Sequence, residues 1–212
     1  MILPAKDINI QERVADIIAQ EAKAIQNIKV TDDFEVAIKL MLACKGKIIT
    51  TGIGKAGYIA NKFSATMAST GTPAFFVHPA EAGHGDMGMI SKDDLIIAFS
   101  TSGKSIEVLE MLENAAHLGI SDIIGITSHT DSPLRSHSNV ILDMGSDIKE
   151  ACPLQLAPSA SIAVMLAISD ALALTLMELK DFTSEDYGMR HHKGYLGSIT
   201  RKQHKYDSES DS

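Results

Sequence analysis

The chain has 212 residues and a mass of 22.7 kDa, a size that suits one α/β domain. Hydrophobic residues make up 45% and charged residues 22%, which excludes a disordered chain. Nineteen basic and 27 acidic residues leave a formal charge of −8, so the broad basic face of a nucleic-acid binder is not expected.

Two cysteines far apart, Cys44 and Cys152, exclude a disulfide scaffold. Cys44 is expected in the core and Cys152 lining a site. The N-terminal residues lack the apolar core of a signal peptide, and the expected location is the cytoplasm. The long apolar run from Ser161 to Leu179 contains Asp170 and two serines, which favours a buried or subunit-interface helix over a membrane span.

In chain order, apolar residues at helical spacing predict two N-terminal helices between Asn9 and Ala43, broken at Thr31-Asp32-Asp33, which can cap the second. Lys47–Thr51 then reads as a strand, followed by a glycine-rich turn and a helix reaching Ser69. Further strands are predicted at Pro73–Val77, Asp94–Ser100, Asp122–Thr127 and Asn139–Asp143, with helices at Ile106–Leu118 and Ser159–Lys180. Short apolar runs without polar alternation point to a parallel sheet covered on both faces. The expected fold is α/β, a doubly wound, Rossmann-like parallel sheet of about five strands flanked by helices. An N-terminal helical segment (1–32) would pack on one domain (33–202), ahead of a polar tail (203–212).

Four stretches could carry chemistry. Thr51-Gly52-Ile53-Gly54-Lys55-Ala56-Gly57 sits where a strand hands over to a helix. It reads either as an anion site or as a structural turn, and its spacing fits neither a dinucleotide fingerprint nor a P-loop. Ser100-Thr101-Ser102-Gly103-Lys104-Ser105 offers hydroxyl donors to a phosphate, or simply caps a helix. The loop from His78 to Asp86 holds two histidines and two acids, suited to metal ligation or proton transfer, or merely solvated. Glu150, ahead of the apolar, proline-bounded segment that ends at Ser159, is expected to have a raised pKa if it lies against apolar surface, as a base requires. Otherwise it is an exposed loop acid.

TGIGKAG, FFVHPAEAGHGDMGM, STSGKSIE and KEACPLQLAPS, in this order and spacing, resemble the sugar isomerase (SIS) domain. Within it, HPAEAxHGD and KEACPLxLAPS are similar to the arabinose-5-phosphate isomerase family, over roughly Asp33 to Lys202. Long members carry a CBS pair after this domain, so a short form lacking it is expected. The resemblance implies catalytic roles for Lys55, Glu107, Glu150 and His191. It implies substrate binding by Gly52, Gly54, His84, Ser100, Thr101, Ser102 and Ser105.

Two departures stand out. Lys104 replaces an acid, and His191-His192-Lys193-Gly194 replaces His-Pro-Gly-Gly, so that His192 could stand in for His191. The implied activity is an aldose–ketose isomerase interconverting ribulose 5-phosphate and arabinose 5-phosphate, the entry to Kdo biosynthesis for lipopolysaccharide or capsule. The alternatives are another SIS sugar-phosphate isomerase, or a sugar-phosphate sensor that binds without turnover.

One proton moves between C1 and C2 through an enediol. Glu150 is the first choice of base, Lys55 neutralises charge on the oxygens, and Glu107 and His191 shuttle protons. Neither a cofactor nor a metal is required, although His84, His191 and His192 could bind inhibitory zinc. A homotetramer is expected, with sites built across subunit boundaries. Lys55, Lys104 and Lys193 could also admit an end-product sugar nucleotide such as CMP-Kdo as an inhibitor.

Overall fold

Five apolar segments build the sheet: β1 (Ile48–Gly52), β2 (Ala74–Phe76), β3 (Leu95–Phe99), β4 (Ile123–Thr127) and β5 (Val140–Asp143). Every residue of β1, β3 and β4 is buried, as strands covered on both faces must be. β2 and β5 lie at the edges; β2 has only three residues, all half-buried, and β5 ends on the exposed Asp143. The computed structural model, which describes residues 7–191, orders the strands β2-β1-β3-β4-β5, all parallel. The expected doubly wound sheet of five strands is therefore the observed one. The expected domain end at 202, the tail 203–212, His192 and Lys193 lie outside the described residues.

Helices cover both faces. One face receives α2 (Asp32–Ala43), α3 (Gly54–Ser69) and α7 (Ala160–Leu179). Their Met41, Phe63, Met67, Ile168 and Leu172 pack with Leu95, Ile97 and Phe99 of β3. The other face receives α4 (Pro79–Ala82), α5 (Ile106–His117) and α6 (Pro133–Ser136), with Val108, Met111 and Leu112 against Ile49, Ile96 and Ala98. Alternate residues of β3 thus serve opposite cores. By length and composition α7 could cross a membrane, yet Val164, Met165, Ile168, Leu172 and Leu176 lie in the core.

α1 (Ile10–Gln26) lies along α7 and buries none of its own residues; Ile10, Val14 and Ile18 are more than half exposed. Thr31 occupies the N-cap position of α2, but its hydroxyl bonds the Asp33 carboxylate rather than the helix backbone. Cys44, expected in the core, is only half-buried at the end of α2, its sulfur facing the Lys47 and Asp93 carbonyls. The chain closes with α8 (Ser184–Arg190), started by a reciprocal Thr183–Asp186 capping box.

Candidate active site

In this strand order the chain leaves β1 toward one face and β3 toward the other, which opens a crevice at the carboxyl edge between them. Gly52 pairs with Phe99, so the glycine-rich turn after β1 and the hydroxyl loop after β3 emerge side by side. Two glycines make this approach possible. A Cβ on Gly52 would stand 3.0 Å from the Phe99 carbonyl oxygen, and one on Gly57 would meet the Gly52 oxygen at 2.6 Å. Lys55 is exposed in the first turn of α3, whose N-cap, Ile53, has no side chain to bond the free N–H groups. A turn open to an anion, with a cation beside it, is what remains.

Across the crevice, Ser100 and Ser105 hydroxyls lie 3.0 Å apart, and the Gly103 N–H closes a turn onto the Ser100 carbonyl at 3.0 Å. Ser102 Oγ accepts from the Lys104 N–H at 3.2 Å, leaving its own O–H to donate. Ser105 is the N-cap of α5 yet makes no capping bond, and Glu107 is half-buried in the first turn that follows. The loop is held from below at two carbonyls, that of Gly103 accepting from the Leu134 N–H at 3.1 Å. The Thr101 carbonyl accepts from Thr127 Oγ1 (3.0 Å), the Ser128 N–H (3.0 Å) and Ser128 Oγ (2.9 Å), with His129 Nδ1 at 3.2 Å. Sequence reasoning missed this brace, although Thr127-Ser128-His129 is a polar run directly at the end of a predicted strand.

Glu150 arrives from the far edge strand. Because α3 and α7 follow parallel strands, both helices begin at the carboxyl edge, and they pack side by side with Lys62 of one paired to Asp170 of the other. Glu150 is thereby carried to the α7 N-terminus, the helix beside the one that bears Lys55. Its Oε2 accepts from the Ser159 N–H (2.7 Å), Ser159 Oγ (3.1 Å) and the Ser161 N–H (3.3 Å). Among the described residues nothing bonds Oε1.

This corrects the expected raised pKa. Burial pushes the Glu150 carboxyl up and is the largest single influence. The Ser161 hydroxyl and the Ser159 and Ser161 donors together outweigh it, and the net direction is down. The carboxylate also lines an open cleft of about 390 Å³ against α1, shared with Arg13, Gln20 and Cys152. Cys152 is the lining residue expected, and its thiol is pushed down by the Ala157 N–H above all, the partial burial acting the other way. Its sulfur accepts from the Leu156 and Ala157 N–H groups at 3.1 Å each.

His84 and His191 do not converge within one chain. His84 is exposed in the loop after α4, on the β2 side of the carboxyl edge. His191 is the C-cap of α8, stacked on Tyr187 at 3.8 Å with Nδ1 2.9 Å from the Tyr187 carbonyl. The neighbouring Arg190 lies over the Phe182 ring, which fills the space beside Gly71 in the α3–β2 turn. That turn is at the amino edge, a strand length of about 16 Å from the crevice. The structure therefore groups Gly52, Gly54, Lys55, Ser100, Thr101, Ser102, Ser105 and Glu107, brings Glu150 to the same edge, and leaves His191 at the other. Among the described residues no three histidines, cysteines or acids cluster as a metal site.

The SIS domain model matches residues 41–182 of this chain. The arabinose 5-phosphate isomerase KdsD of Pseudomonas aeruginosa is 47% identical over 182 residues, covering 85% of this chain and 55% of that protein. The arabinose 5-phosphate isomerase KpsF of Escherichia coli is 39% identical over 187 residues, 87% of this chain and 57% of that one. The chain thus spans little more than half the length of these curated relatives. A solved structure of an Escherichia coli CFT073 protein in complex with A5P superposes with a TM-score of 0.82 at 39% identity, covering 87% of this chain and all of that one.

Proposed function

The chain belongs to the SIS domain family, and on that premise we propose that it interconverts D-ribulose 5-phosphate and D-arabinose 5-phosphate through an enediol. One observation carries the reading: the Gly52–Phe99 pairing sets a cation-bearing glycine turn beside a hydroxyl loop, the pair of anion holders a sugar phosphate needs. The phosphate lies against the Ser100–Ser105 hydroxyls and the α5 N-terminus. Glu150 presents its free Oε1 to the carbon-bound proton, and a carboxylate below its ordinary pKa stays ionised at neutral pH. Lys55 balances charge on the enediol oxygens, and Glu107 relays a proton between them. These steps run on general acids and bases alone and call for no cofactor.

His191 acts in the site of a neighbouring copy, because its own chain holds it at the opposite edge. The expected tetramer supplies that neighbour through the exposed Ile10, Val14 and Ile18 stripe of α1. Arabinose 5-phosphate feeds Kdo formation for lipopolysaccharide or capsule in the cytoplasm, and Lys104, exposed beside the phosphate loop, favours CMP-Kdo as an end-product inhibitor.

The test incubates the protein with ribulose 5-phosphate in deuterium oxide and follows the products by NMR. Arabinose 5-phosphate deuterated at C2 is the expected product. A different aldose or ketose would redirect the reading to another isomerase of the family. Binding without turnover, seen by calorimetry, would overturn it in favour of a sensor.

A further inference from the structure

Ser161 is the second residue of α7; the residue is 2% exposed, and its buried Oγ has no hydrogen-bond partner among the described residues. Folded proteins rarely leave a buried hydroxyl in that state. Its neighbourhood says what it is for. The backbone N–H of the same residue reaches Glu150 Oε2 at 3.3 Å. Burial is the largest influence on that carboxyl and pushes its pKa up, and the Ser161 hydroxyl is foremost among the groups that draw it down.

The other partners of Glu150 cannot change role. The Ser159 and Ser161 N–H groups only donate. Ser159 Oγ donates to Oε2 and at the same time accepts from the Ala151 N–H at 3.0 Å, so its hydroxyl is fixed from both sides. A base that takes up a proton at Oε1 becomes a carboxylic acid: its Oε2 goes on accepting, but the new O–H needs an acceptor, which the N–H groups cannot provide. A free hydroxyl can rotate and accept instead.

We infer that Ser161 is a positioning residue for proton transfer, its buried hydroxyl donating to the Glu150 carboxylate and accepting from the protonated form. The inference rests on Glu150 being the base of the proposed reaction. Charged groups around Glu150 leave this role open. Arg13 of α1 is engaged with Asp16 and the Ala151 carbonyl, and Lys149 is exposed. Cys152 takes its donors from the backbone of its own loop, and Gln20 of α1 is neutral and bonds Asp16 at 2.7 Å.

The test measures kcat, KM and the pH dependence of kcat/KM for Ser161→Ala, Ser161→Thr and Glu150→Gln, together with melting temperatures. A merely structural hydroxyl predicts that Ser161→Ala melts at or above the parent temperature with unchanged kinetics. The positioning role predicts a kcat lower by about tenfold at nearly constant KM. It also predicts an acid limb moved up by roughly one to two pH units, the worth of one hydrogen bond to a carboxylate. Ser161→Thr, which keeps the hydroxyl, should restore both.

Should Ser161→Ala fold poorly, the acid limb of the folded Ser161→Thr variant is read instead, and it must coincide with the parent's. An unmoved acid limb in Ser161→Ala, or a kcat loss that threonine does not restore, overturns the inference while Glu150→Gln is inactive. Activity retained in Glu150→Gln overturns the base assignment itself, which is a separate result.

Discussion

Gly103 and Gly54 share a backbone conformation, with φ of +62° and +61°, but not an environment. Around Gly54 nothing among the described residues lies within 4 Å of an added Cβ, whereas on Gly103 it would meet Ser132 Oγ at 1.9 Å, Ser132 Cβ at 2.6 Å and Thr127 Oγ1 at 3.1 Å. Alanine at either position carries left-handed strain of about 1–2 kcal/mol. At Gly103 alone, displacing the buried Ser132, the N-cap of α6, adds about 1–3 kcal/mol of overpacking. For a chain of this size each kcal/mol moves Tm by about 2–4 °C.

Gly103→Ala should therefore melt roughly 10 °C below the parent and Gly54→Ala only about 4 °C below. Gly103→Ala should also raise KM for the sugar phosphate about tenfold, because the displaced loop carries the Ser100–Ser105 hydroxyls. The double variant Gly103→Ala, Ser132→Gly removes the two closest contacts and should recover most of the overpacking loss, leaving the strain. Circular dichroism melts and initial rates measure both effects. If Gly103→Ala melts with Gly54→Ala, or the double variant is no more stable than the single, the packing argument is wrong.

Glu150→Gln should lose turnover by a factor of ~10² to 10⁴ while calorimetry shows substrate binding close to that of the parent; a variant retaining most activity would move the base to Glu107. The folded-state pKa of Glu150 lies below its ordinary value of 4.5, so its contribution to stability is complete above that pH and fades as pH falls through the folded value. The stability gap between parent and Glu150→Gln should accordingly narrow below about pH 4.5 in urea titrations; a constant gap would contradict the hydrogen bonds to Oε2. Near pH 7, iodoacetamide should modify Cys152 before Cys44, because backbone N–H groups favour the Cys152 thiolate and burial disfavours that of Cys44; peptide mass spectrometry reads the order. Mixing two inactive variants, Lys55→Ala and His191→Ala, should restore part of the activity if His191 serves a neighbouring copy; no recovery after exchange of subunits would place both residues in one chain's site.

Local signals were enough for the elements themselves. Short Val, Ile and Leu runs such as Leu95–Phe99 suit covered strands by their length, and glycines after them mark the turns, so the parallel doubly wound sheet could be read directly. The residues of the crevice could be read for the same reason: Lys55 and Ser100–Ser105 follow strand ends in the sequence itself. What tertiary structure alone decided were relations between distant segments. Strand order is one, since the Gly52–Phe99 pairing puts the glycine-rich turn and the hydroxyl loop together.

The charge state of Glu150 is another. Its apolar neighbours in sequence suggested a raised pKa, but a helix beginning ten residues later, with its N-cap, turns two N–H groups and the Ser159 hydroxyl onto Oε2, and such donors act through space. The third is His191. Its motif says that it belongs with Lys55, while the packing of Phe182 against Gly71 fixes it at the other end of the sheet. Sequence order carries no distance between segments that fold back separately, so only the packed chain can say which ends of the sheet meet.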